Sequence, residues 1–151
     1  MEPLDLVKKY INTVNVLQLA TSVNDDPWVC NLHYYADENL NLYWISTEER
    51  KHSKHIAKNP QVAAAIKVHE NTEDADFVIG ITIQGIAELI GDDPGDKIGK
   101  GFIHKHNKPE KLLDDIESGA NPHKFYVLRP TKIVLFDSKE FPNQPRQETT
   151  L

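Results

Sequence analysis

Cysteine occurs once in this chain, at position 30. A single thiol excludes an internal disulfide framework and fits a reducing compartment. It cannot build a cysteine zinc site by itself. Long apolar runs are missing too. No stretch reaches the roughly 20 residues that span a bilayer, so no membrane-spanning helix is expected. Met1-Glu2-Pro3-Leu4-Asp5 has neither the basic start nor the apolar run of a secretory leader, and a cytoplasmic location is expected. Positive charge is in deficit: 17 Lys and Arg against 23 Asp and Glu leave a net charge of −6. That balance argues against nucleic acid as the main partner. The chain contains no Gly-x-Gly-x-x-Gly or Walker loop, no Gly-x-Ser-x-Gly elbow and no His-Glu-x-x-His. The usual nucleotide cradles, the elbow-type hydrolases and the zincins therefore have no support.

What is present fits one globular domain over residues 1–151, with 39% hydrophobic and 26% charged residues. No repeat, linker or low-complexity block divides it. Leu4, Val7, Tyr10, Ile11 and Val14 recur at helical spacing, which predicts an amphipathic helix over 4–14. Strands are predicted over 16–21, 28–36 and 40–46, separated by the turns Asn24-Asp25-Asp26-Pro27 and Asp37-Glu38-Asn39. The polar run from Thr47 to Lys58 loses strand alternation and reads as a short helix, with Ser46 or Thr47 as cap and Glu48 and Glu49 in its first turn. Asn59-Pro60 ends it. Strands follow over 61–68 and 77–90, and Gly85 inside the second marks a bulge or a close backbone approach. Residues 93–118 read as two helices broken at Asn107-Lys108-Pro109. Residues 125–136 form either a strand pair or one strand bent at Pro130, and 138–151 reads as a loose tail. Consecutive strands joined by short turns imply an antiparallel sheet, and six of them without a partner sheet imply closure into a barrel. The fold class is α+β.

One segment carries candidate chemistry. Arg50, Lys51 and Lys54 form a basic cluster in an acidic chain, with His52 and His55 beside it and the hydroxyls of Ser46 and Thr47 just before it. A strand running into a helix N-terminus offers free N–H groups and the positive end of a dipole, which suits a phosphate. The same residues also fit a solvated helix whose Glu48 and Glu49 pair with bases one turn on. His52 and His55, at i, i+3, could share a metal, but no carboxylate completes a ligand set, and no metal is expected. Cys30 sits in a strand with nothing nearby to lower its pKa, and reads as a packed thiol.

The strand after Pro27, Leu42-Tyr43-Trp44-Ile45-Ser46-Thr47, the basic cluster, Asn59-Pro60-Gln61-Val62-Ala63, Ile83-Gln84-Gly85-Ile86-Ala87-Glu88 and the run from Phe125 to Ile133 stand in a telling order. In order and spacing they resemble the pyridoxamine 5'-phosphate oxidase-like FMN-binding split barrels over about residues 14–137. Within that family the chain is most similar to a small bacterial subgroup of unassigned activity. The resemblance implies a six-stranded antiparallel split β-barrel with peripheral helices, a homodimer and two FMN sites at its interface. It puts Ser46 and Thr47 at the family's strand-end contacts with FMN, and Lys51 and His52 at its basic phosphate pair. Histidine thus replaces the pair's second basic residue, and Arg50 is placed to supply the missing charge. Asn31, Leu32 and His33 fall where backbone lies against the flavin ring, and Gln84 lies on a strand that reaches toward the cofactor. The arginine-rich end that holds pyridoxamine phosphate in the oxidase is reduced here to Arg146, so oxidation of that vitamer is not expected. The resulting expectation is FMN-dependent redox chemistry on an unidentified small molecule, in which the flavin carries the electrons and no acid, base or nucleophile need be visible. The alternatives are the same barrel holding haem or a deazaflavin, or a non-catalytic module with a degenerate flavin site.

Overall fold

A computed structural model describes all of residues 1–151. Helix α1 (Pro3–Ile11) starts with Pro at its first position, where a missing N–H costs nothing. It buries Leu6, Val7 and Ile11. The helix stops three residues short of the expected end. Asn12 Nδ2 donates to the Lys8 carbonyl at 2.8 Å and Thr13 Oγ1 to that of Tyr10 at 2.7 Å. These side chains take the last carbonyls and end the helix.

Strands β1 (Val16–Val23) and β2 (Asp26–His33) form a hairpin in full register from Val16↔His33 to Val23↔Asp26. The turn is tighter than the four residues expected. Asn24 and Asp25 both have positive φ, 51° and 61°, which is the two-residue turn whose twist matches paired strands. Pro27 then lies within β2, tolerated because β2 is an edge strand. Strand β3 (Tyr35–Ala36) follows directly. Asp37 organises the next turn by accepting from the Asn39 and Asn41 amides and from the Tyr43 hydroxyl. Leu40, with φ 65°, cannot extend the strand, so β4 runs Leu42–Ser46.

Helix α2 (Lys51–Lys58) leads to β5 (Gln61–His69) and β6 (Ile79–Gly91). Helices α3 (Asp96–Lys105) and α4 (Lys111–Ser118) come next. Strand β7 (Lys124–Asp137) is one strand, so the bent alternative holds: the register steps from Gln84↔Lys132 to Gly85↔Pro130 and leaves Thr131 without a register partner on β6. Gly85 sits at that bulge, and a Cβ there would collide with the Arg129 carbonyl. Both expectations for this glycine are met. The tail is not loose. Residues Arg146–Thr150 form β8, antiparallel to β7, because the outer edge of β7 offers unpaired backbone groups.

The sheet therefore has eight strands where six were expected: the six long ones plus the two-residue β3 and the tail strand β8. Its order is β2-β1-β5-β6-β7-β4-β3, with β8 on β7. The first and last strands of that path are one continuous segment, since only Tyr34 separates β2 from β3. The sheet must curl round on itself for this to hold. Tyr34 is fully buried at the seam and donates its hydroxyl to the Ile11 carbonyl at 2.6 Å. Inside the curl lies a core of Leu17, Leu19, Leu42, Trp44, Ile66, Ile83, Leu128 and Ile133 with their neighbours. A smaller cluster, Phe102, Ile103, Ile116 and Phe125, seats α3 and α4. No helix is long and apolar enough to cross a membrane.

Candidate functional site

The site grows from the end of β4. Ser46 is buried, and its hydroxyl meets His52 Nε2 at 2.7 Å. That bond removes Ser46 from capping duty. The chain turns over Thr47 to Arg50, closed by the Arg50 amide on the Thr47 carbonyl at 3.3 Å. Helix α2 therefore begins at Lys51 and not at the expected Thr47, and Glu48 and Glu49 sit in the turn ahead of it. Arg50 is the N-cap in extended conformation, with no side-chain cap and no acidic residue in the first turn. The first intrahelical bond is Lys54 N–H to the Arg50 carbonyl at 2.9 Å. The N–H groups of Lys51, His52 and Ser53 are thus left without backbone partners.

Three cationic or polar side chains frame this end. Arg50 is exposed and in no ion pair. The Lys51 ammonium is 3.0 Å from Asp26 Oδ2 and lies 4.6 Å from the centre of the Trp28 ring. Thr47 is half-buried beside them. Below, two buried histidines point inward. His52 holds Ser46; burial, and then the Arg50 charge, keep its pKa under the usual 6.5. At pH 7 it is neutral and adds no charge to the corner. His55 Nδ1 is 2.9 Å from Thr21 Oγ1, and its Nε2 is 3.8 Å from Asp26. The i, i+3 histidines have separate partners and share no ligand position, and no group of three or more His, Cys, Asp or Glu converges on a metal site.

The remaining expected residues lie along the sheet. Asn31 and His33 are exposed on its outer face, and Asn31 accepts from Gln18 Nε2 at 2.9 Å. Leu32 faces inward and packs on the core. Gln84 is exposed on the same outer face through the rung Val29, Ala20, Ala63, Gln84. His33 is at the far end of β2 from Asp26, so the strand forms a track of roughly 23 Å leading away from the α2 corner. At that end His106 Nε2–H donates to the Tyr34 carbonyl at 2.8 Å, which leaves Nδ1 to accept from His33 Nδ1 at 3.4 Å. Beside it burial lowers the Lys105 pKa to about 8, and its ammonium lies 3.9 Å from the centre of the Tyr34 ring. Thr21, Asp26 and His106 were not legible as site residues, because each acquires its role from a partner more than 20 residues away. Cys30 is a packed thiol, with its pKa raised by burial.

No family model matches the chain. The UPF0306 protein of Yersinia pseudotuberculosis is 28% identical over 89 residues, or 58% of this chain. That match spans 59% of the relative's own length. Solved structures cover far more. A pyridoxamine 5'-phosphate oxidase candidate from Listeria innocua matches with a TM-score of 0.63 at 18% identity, over 89% of this chain and 98% of its own. The chain has the split-barrel fold. A FAD-binding protein from Mesorhizobium loti shares it with a TM-score of 0.62 at 19% identity, over 88% and 92% of the two chains. So does HutZ, the haem storage protein of Vibrio cholerae, with a TM-score of 0.62 at 16% identity, over 86% and 91%. In split-barrel terms, the α2 corner sits at one end of the edge strand β2, and the histidine pair sits at the other.

Proposed function

We propose that this split barrel is an FMN-binding flavoprotein, a cytoplasmic homodimer that carries out redox chemistry on a small organic molecule. The observation that carries the reading is the α2 corner: an uncapped helix N-terminus, flanked by Arg50 and Lys51, in a chain of net charge −6. Such a corner matches a dianionic phosphate in charge and in hydrogen-bond sense. Arg50, Lys51 and the first amides of α2 hold the phosphate, and the Thr47 hydroxyl meets it or the ribityl chain. Asn31 and His33, with the backbone of Leu32, border the ring along β2, and Gln84 approaches from the same face. Ser46 and His52 act from below, by holding β4 and α2 together. The flavin supplies the electron transfer. A second copy covers the outer sheet face, where Ala20, Ala65, Thr82 and Ile86 are exposed without bulky charge between them.

Purified protein should carry flavin absorbance in the visible, or regain it on adding FMN. Replacing Arg50 and Lys51 together by Ala removes two charge-assisted contacts of about 1.5–3 kcal/mol each. FMN titration should then show a loss of about a hundredfold or more. Unchanged affinity in that double variant would end the phosphate assignment. A haem site is the second reading, supported by the exposed His33 imidazole and by the haem proteins that share the fold. A Soret band abolished by His33→Ala would favour it.

A further inference from the structure

Helix α2 has another side. Between it and the β6–β7 pair lies a cleft of about 340 Å³, separate from the corner formed by Arg50, Lys51 and Trp28. Its floor is apolar, formed by Ile56, Ala57, Ala87 and Leu89, and Leu89 is 45% exposed. One wall carries two hydroxyls. Ser53 is 3% exposed, and its Oγ has no hydrogen-bond partner. It stands beside the Tyr126 phenol, whose pKa is raised by burial, lowered by Ser53 and raised again by the Glu48 carboxylate. The two hydroxyls are close enough to act on each other, and Ser53 Oγ, which meets no well-formed partner, keeps capacity for a third group. A buried hydroxyl left unpaired in a helix is costly unless something completes it.

The charges at the rim differ in their commitments. Lys54 reaches Glu49 at 3.6 Å, and Glu88 is held by Arg129 at 2.9 Å. Glu48 is in no ion pair and lines the same cleft as Ser53 and Tyr126. The cleft therefore combines an apolar floor, an unpartnered Ser53 hydroxyl beside the Tyr126 phenol, and an exposed carboxylate with no ion-pair partner.

We propose that the cleft between α2 and the β6–β7 pair binds a small organic cation, an amine on an apolar body. Glu48 meets the ammonium group, Ser53 and Tyr126 bond the polar atoms beside it, and the Ala87–Leu89 stretch takes the apolar part. An anion would be repelled by Glu48, and a neutral isostere would leave that carboxylate without a counter-charge. The site uses no side chain assigned to the flavin phosphate, taking the Ser53 hydroxyl where the phosphate takes backbone amides, so it stands or falls separately from flavin binding.

Phenethylamine is a suitable probe, with 2-phenylethanol and 3-phenylpropanoate as its neutral and anionic counterparts. Calorimetry and amide NMR on the full chain should show the amine binding at least tenfold more tightly than either, with shifts at Ser53, Ala57 and Leu89. Glu48→Gln, at an exposed position, should fold normally and abolish that preference. Ser53→Ala should weaken the amine several-fold while raising the thermal midpoint of the ligand-free protein, because it removes the unpaired hydroxyl. The proposal is overturned if the amine and the alcohol bind alike, if Glu48→Gln changes nothing, or if Ser53→Ala lowers the midpoint.

Discussion

Helices α1 and α2 are nearly equal in length, nine and eight residues, and both cover the same core, yet they bury different chemistry. The inner face of α1 is aliphatic: Leu6, Val7 and Ile11. The inner face of α2 is His52, Ser53, His55 and Ile56. For α1 the hydrophobic effect dominates the orientation, with the Tyr34 hydroxyl on the Ile11 carbonyl and the Tyr10 hydroxyl on Asp137 as its polar ties. For α2 the orientation depends on partners, because a buried imidazole is tolerated only where a hydroxyl or carboxylate answers it. Ser46 answers His52 and Thr21 answers His55, while Ser53 is left open. A face held by specific bonds is less forgiving of chemistry and more useful for binding than a face held by area.

The comparison is tested most strongly at Ile11, which is fully buried. Ile11→Ala should lower unfolding free energy by about 3 kcal/mol, read from urea denaturation, and leave FMN affinity unaltered. A loss of FMN binding there would mean that the two helices are not independent.

His52→Ala tests the other helix. It removes the imidazole and leaves the Ser46 hydroxyl buried and unpaired, at a cost of about 2 kcal/mol. The Ser46→Ala, His52→Ala double variant should lose less than the sum of the two single losses. The same residue sets a pH slope. Its folded pKa lies below 6.5, so the unfolded chain takes up a proton that the folded one refuses. Stability present above pH 6.5 is then lost as pH falls below it. Burial lowers the His106 pKa as well, which adds a slope of the same sign. His52→Gln should therefore make the acid loss shallower without removing it; an unchanged slope would show that His52 is solvated.

The smallest expected effect concerns the outer face of α2. Asp26 holds the Lys51 ammonium at 3.0 Å and competes with any phosphate for it. Asp26→Asn should tighten FMN binding several-fold, because the site becomes more positive toward the phosphate. Weaker binding would mean that Asp26 positions Lys51 for the ligand and does not compete for it.

Much of this molecule is readable from local pattern. Alternation in 77–90 marks β6, since a half-buried strand needs a period of two, and the short apolar runs 16–21 and 61–68 mark β1 and β5, although the alanines of 61–68 would also allow a helix. Gly85 announces the bulge, and Asn59-Pro60 the end of α2. The basic pair Arg50 and Lys51 stands out because the rest of the chain is acidic. Long-range pairing was not readable. Nothing in Arg146–Thr150 requires a strand; only the free edge of β7 makes it one.

By itself, then, the chain determined the order of its longer elements as far as β7 and placed a cationic turn between the strand ending at Ser46 and the helix after it, since period, turn chemistry and net charge act between residues close in sequence. Which polar side chains of that helix are satisfied, which stay open toward a cleft, and where the edge strand meets the helix were decided only by the curl of the sheet. Those outcomes depend on hydroxyls, carboxylates and backbone edges that folding brings from distant positions, and burial then sets how strongly each must be answered.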